Sequence, residues 1–195
     1  MKKIESPLWG SPPTVLPLSK KGRWYRACQL TVDNLPNSTD RVIDRLYAAP
    51  LCFNADVVVD RLGINVASAA TAGGVARFGV YSDSGLYPNS LLIDAGEVDT
   101  TTTGEKEVIL ASPIAIKKNQ IIWLAFLEGV AASQLLVLQD DGALGILGLS
   151  SISNQFPKCG YGHTFAYAAL PAVFPIAAPG YEGNQSTAVA ARIAP

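Results

Sequence analysis

The chain has 195 residues, 49% of them hydrophobic and 16% charged, and its 15 Lys and Arg nearly balance its 16 Asp and Glu. That length suits one domain with or without an arm and buries roughly 70% of the unfolded chain's surface. High hydrophobicity at a net charge of −1 excludes a disordered chain. No basic block exceeds two residues, which excludes a phosphate-reading stripe and with it a nucleic-acid partner.

The uncharged stretch 142–156 is broken by Gly, Ser, Asn and Gln, so no membrane partner is expected. Lys2 and Lys3 open the chain, but Pro7, Pro12, Pro13 and Pro17 stand where a signal peptide would carry its apolar core. The expectation is a protein without such a signal. The charged fraction lies below the ~25% of ordinary soluble domains, and mean hydropathy is positive. Either an Ala-rich core or surface buried against other subunits accounts for this, and a homo-oligomer is the preferred reading. Cys28, Cys52 and Cys159 are far apart with no CxxC pair. They read as free thiols, with neither a metal site nor a cofactor.

Residues 1–22 form a proline-rich extended arm, because proline fixes φ and removes a ladder donor. Pro7, Leu8, Trp9, Pro12, Pro13 and Leu16 are its candidate partner-binding residues, and an arm with no core of its own becomes ordered by packing on something. Residues 23–195 make one β-sandwich or jelly-roll-like domain. Its strands are expected at 23–32, at 44–53 (Pro50 marking an edge or a bulge) and at 57–66, with Val58, Leu62, Ile64 and Val66 on one face. Residues 75–81 place Ala76, Phe78 and Val80 opposite Arg77 and Tyr81. Further strands are expected at 91–93, 105–110, 120–127, 134–138, 164–167 and 187–193. Ala72-Gly73-Gly74, Asp83-Ser84-Gly85, Thr103-Gly104, Lys118-Asn119 and Asp140-Asp141-Gly142 are the turns between runs. Tyr87-Pro88-Asn89-Ser90 reads as an exposed loop, and 142–162 as long loops with room for one short helix. Short strands at this spacing, with no capped helical stripe, define an all-β chain.

No catalytic residue is nominated. His163 is the only histidine, and no G-x-S-x-G elbow accompanies it. A small hydrolase built on His163 is therefore the weakest functional reading. A single Asp83-Ser84-Gly85 lacks the second carboxylate of an aspartic protease, and Asp140-Asp141-Gly142 lacks the oxygen series of a calcium loop. Trp123, in the apolar run IIWLAF, is a core residue, while Trp9 and Trp24 flank the arm as anchors. Tyr81 and Tyr87 remain as candidate surface aromatics for a glycan. Asn37-Ser38-Thr39 and Asn184-Gln185-Ser186 fit the glycosylation sequon but carry little weight without a secretory signal.

Residues 55–66, 72–110 and 121–129 carry the motifs DRLGINV, ARFGVY, LLIDAGEVDTTTTGEKE and IIWLAFLEG. In this order they resemble tailed-bacteriophage virion structural proteins, over about three-quarters of the chain. The longest run, LLIDAGEVDTTTTGEKE, is the specific one. The resemblance implies a β-sandwich module without enzyme activity. It further implies a virion location and virion partners: the major capsid protein for a head decoration (cement) protein, or tail proteins and a host glycan for a tail or fibre adhesin. A trimer is one candidate oligomer. The chain departs from the pattern in its proline-rich arm and at Lys117-Lys118-Asn119, where L-P-A-G is expected.

Overall fold

The computed structural model describes residues 19–27, 39–40, 42–136, 159–175, 181–183 and 188–195. Twelve strands and no helix occur among them: β1 (Trp24–Arg26), β2 (Thr39–Asp40), β3 (Arg45–Cys52), β4 (Val57–Ser68), β5 (Val75–Asp83), β6 (Pro88–Asp99), β7 (Gly104–Ile116), β8 (Ile121–Gly129), β9 (Gln134–Leu135), β10 (Gly160–Thr164), β11 (Tyr181–Gly183) and β12 (Ala190–Ile193). All pairings are antiparallel, and they make two sheets packed face to face, the sandwich expected from the sequence. In the first sheet β4 is central. Gly63 pairs with Glu107 of β7 on one edge and with Ala190 of β12 on the other, beyond which lies β1; β9 and β2 continue that second edge. The second sheet runs β11-β10-β3-β8-β5-β6.

The inter-sheet core contains Phe53, Val59, Leu62, Phe78, Val80, Leu124 and Phe126, all buried. A second cluster lies on the outer face of the second sheet, where Leu46, Ala48, Tyr81, Trp123, Ala125 and Leu127 pack under Leu170 and Phe174. The segment 165–175 crosses this face as a strap. Its Phe165 and Tyr167 amides donate to the Asp44 carbonyl and carboxylate, at 2.8 Å each. The Leu170 amide donates to Asp94 Oδ2 (3.0 Å), and the Tyr81 hydroxyl donates to the Pro171 carbonyl (2.9 Å). At the β6 edge, Leu91 N–H donates to Ala172 and Phe174 N–H to Asn89, both at 2.8 Å. A sheet covered on both faces favours apolar residues at successive positions, which is why 46–52 of β3 and 121–127 of β8 read as unbroken apolar runs.

Several expectations are corrected in detail. Val59, not Val58, joins Leu62 in the core, and Val58 is 42% exposed. Against β12 the register passes from Arg192↔Arg61 to Ile193↔Val59, so Asp60 is an extra residue on β4 that reverses the alternation. The same bulge aims Asp60 at Arg192, whose Nε donates to Oδ1 at 3.0 Å. Tyr87-Pro88-Asn89-Ser90 is not an exposed loop, since β6 begins at the buried Pro88. Gly160–Thr164 is strand β10, whereas 142–158 lie outside the described residues. Pro50 pairs with Trp123 of β8 and lies beyond the last β10 pairing, Tyr161↔Ala48. The turns at Gly73, Gly85, Gly104 and Asn119 all use positive φ, the conformation that selects Gly and Asn. The arm lies outside the described residues up to Leu18.

Candidate functional site

The tip of the β5–β6 hairpin presents two apolar side chains on a braced frame. Asp83 ends β5, and its Oδ1 accepts the Trp123 indole N–H at 2.8 Å. Its other oxygen faces the Leu86 amide at 3.4 Å, and the Ser84 amide donates to the Tyr87 carbonyl at 2.9 Å. Gly85 (φ 63°) and Leu86 (φ 67°) make the turn. A left-handed leucine is strained by roughly 1 kcal/mol or more, and here its side chain is turned out to solvent. Tyr87, 44% exposed, stacks on Tyr161 of β10 with ring centroids 4.9 Å apart. Tyr161 in turn lies 5.5 Å from the buried Trp123 ring. Three rings thus run from the second cluster out to solvent, beside a carboxylate. Such an arrangement can stack a flat apolar surface and accept hydrogen bonds at its margin.

Of the two tyrosines expected at the surface, only Tyr87 is there. Tyr81 is fully buried, because it projects from the outer face of β5 that the strap covers. Its hydroxyl pKa is raised by that burial and by the Asp94 charge. Tyr81 is therefore removed as a glycan contact. The arm residues Pro7, Leu8, Trp9, Pro12, Pro13 and Leu16 lie outside the described residues, as do Cys28, Asp140, Asp141 and Asn184. Cys52 and Cys159 are free thiols, and burial pushes the Cys52 thiol up. His163 sits on β10 opposite Leu46, and no described carboxylate is hydrogen-bonded to it.

Sequence reasoning missed Tyr161, which lies in a glycine-rich stretch with no visible period. It also missed the polar clasp beneath the strap. There Arg77 bridges Asp94 (2.9 Å) and Glu97 (2.7 Å), while Asp94 also holds the Leu170 amide. Burial by itself lowers the Arg77 pKa, but the two carboxylates more than offset it and hold it above its usual value. Tyr167 is pushed up to about 12, first by burial and then by the negative charge of Glu97. The Arg77 and Glu97 side chains face each other from register partners, a signal the strand pattern could have supplied.

No family model, curated protein or solved structure matches the chain. What stands plainly is the class, an all-β antiparallel sandwich of two sheets.

Proposed function

We propose that the chain is a structural protein of a bacteriophage virion, made in the host cytoplasm and carried on the head as a decoration (cement) protein that clamps neighbouring capsid subunits. The supporting observation is the apolar surface left on the free sheet edges. Leu92 on β6 is 45% exposed and Ile109 on β7 is 66% exposed, on consecutive strands at the edges of opposite sheets. Burying such surface against a partner contributes about 25 cal/mol per Å². An arm laid on a neighbour would add to this through effective concentration. The phage-like motifs span β4 to β8, the strands that supply most of the inter-sheet core.

Recombinant protein should co-sediment with expanded capsids. Trp9→Ala should weaken that binding while leaving the melting temperature unchanged, and a chain lacking residues 1–19 should fold yet fail to join the particle. Absence from capsids together with detection in purified tails would overturn the head assignment. Unfolding of the truncated chain would place the arm in its own domain's core and end the clamp reading.

The exposed Tyr87 on its Tyr161 support favours a second reading, a tail or fibre adhesin for a host glycan. Saturable binding on a glycan array, lost in Tyr87→Ala, would select it.

A further inference from the structure

We propose that the open face of the first sheet carries a saccharide site, in which one neutral sugar ring stacks on Trp24. A cleft of about 160 Å³ lies there, bordered by Trp24, Arg26, Asn65, Glu105, Lys106 and Glu107 around the backbone of Gly63. Trp24 is 40% exposed, and its ring crosses β4 where that strand has no side chain. A Cβ at Gly63 would stand 3.2 Å from Cη2 and 3.3 Å from Cζ3 of the indole. Glycine weakens a strand interior, so its presence here fits the close approach of the ring. The platform is fixed: Trp24 pairs with Arg192 in the ladder, and Arg26 Nη1 donates to the Leu136 carbonyl at 2.6 Å.

Polar groups are free at the margin. Asn65 and Glu105 are direct cross-strand partners. The main-chain carbonyl of Asn65 is used by the Leu136 amide, but its side-chain amide and the Glu105 carboxylate make no hydrogen bond to the described residues. An amide offers two donors and an acceptor and a carboxylate only acceptors, a set that matches neighbouring hydroxyls, each both donor and acceptor. The charges balance, with Arg26 and the Arg61 that pairs with Glu107 against Glu105 and Glu107. A balanced lining favours neither an anion nor a cation over a neutral polyol. The cleft volume holds one ring, which sets the affinity in the millimolar range, on the order of 1 mM. This site is separate from Tyr87 and does not depend on the virion role.

The test is calorimetric titration of the full chain with glucose, galactose, mannose and N-acetylglucosamine, with choline chloride as the cationic probe. At least one sugar should bind saturably. Trp24→Ala should abolish binding, Trp24→Phe should retain part of it, and Asn65→Ala should weaken it about tenfold at an unchanged melting temperature. Tyr87→Ala should leave it intact. Should Trp24→Ala fail to fold, Asn65→Ala and Trp24→Phe still decide the matter. Saturation by choline alone, no saturable sugar, or sugar binding indifferent to the Trp24 and Asn65 substitutions would each overturn the site.

Discussion

Gly79 and Leu170 compete for one volume, and a double-mutant cycle measures that competition. Leu170 is buried in the strap, directly over Gly79 of β5. A Cβ built on Gly79 would fall 2.2 Å from Leu170 Cδ1 and 2.9 Å from the Ile93 carbonyl. Leu170→Ala removes apolar contact and leaves a cavity, which costs about 2–3 kcal/mol, the lower part of the buried Leu→Ala range because the strap is an outer layer. Gly79→Ala overpacks the same place, at about 1–3 kcal/mol. In the double variant the new methyl enters space that leucine has vacated. The combined loss should then fall short of the sum by about 1 kcal/mol or more. Some cost remains, because the Ile93 carbonyl is backbone and cannot swing away. Urea unfolding followed by tryptophan fluorescence gives the four stabilities, with constant m values as the check on two-state behaviour. Additivity within about 0.5 kcal/mol would mean that strap and sheet do not share this space, and the account of the second cluster would be wrong.

Two pH predictions follow from the shifted groups. Tyr167 is raised to about 12 by burial and the Glu97 charge, against an ordinary value of ~10. A raised folded value favours the protonated form, so this contribution is complete below about pH 10 and is lost as pH rises through about 12. Tyr167→Phe should remove part of the alkaline loss of stability, followed by the urea midpoint, and an unchanged alkaline limb would refute it. At the acid end, the Arg192 guanidinium holds the Asp60 carboxyl below the usual range, the Lys118 amide does the same for Asp56, and Thr101 for Asp99. Depressed folded values contribute above about pH 4 and are lost as pH falls through the lower folded values. Asp60→Asn should flatten the acid limb of stability against pH, and an identical slope would show that the Asp60–Arg192 pair is not the source.

The fold class was legible because its signals are local. Ala76, Phe78 and Val80 alternate with Arg77 and Tyr81, and the structure sets these two sets on opposite faces. The apolar neighbours of Trp123 alone put it in the core, and it is fully buried. What escaped depends on what covers a face from far along the chain. Tyr81 alternates correctly and points away from the inter-sheet core, yet the strap 165–175 covers that face, and no local pattern announces it. The bulge at Asp60 against β12 is equally silent, since one extra residue in VVVDRL leaves the run looking continuous. Glu128 is another case. It is fully buried at the end of β8, taking the Ser133 amide at 2.8 Å and the hydroxyl at 2.5 Å, donors that the return of the chain at 133 supplies.

The two sheets differ in what they leave available to a partner. The outer face of the second sheet holds the second apolar cluster beside the Arg77–Asp94 clasp, and its strap occupies it, so neither Trp123 nor Tyr81 can be reached without unseating Leu170 and Phe174. The outer face of the first sheet alternates polar residues into solvent, with Arg61 paired to Glu107 and Arg192 to Asp60. It needs no cover to be stable. The free edges are also guarded against simple strand addition. On β7 the ladder skips residues 110–113, which include Pro113, and the preceding stretch is Glu105-Lys106-Glu107. On β6 the strap bridges Ser90 to Val173, and Asp94, Glu97 and Asp99 follow. Bulges, proline and charge are the devices that keep an edge from pairing with another chain. A partner engaging β6 or β7 therefore meets side chains, Leu92 and Ile109 above all, and not an open ladder. Specific contact is then set by the shape of those side chains, which lets a sandwich with long edge strands remain selective about its neighbours.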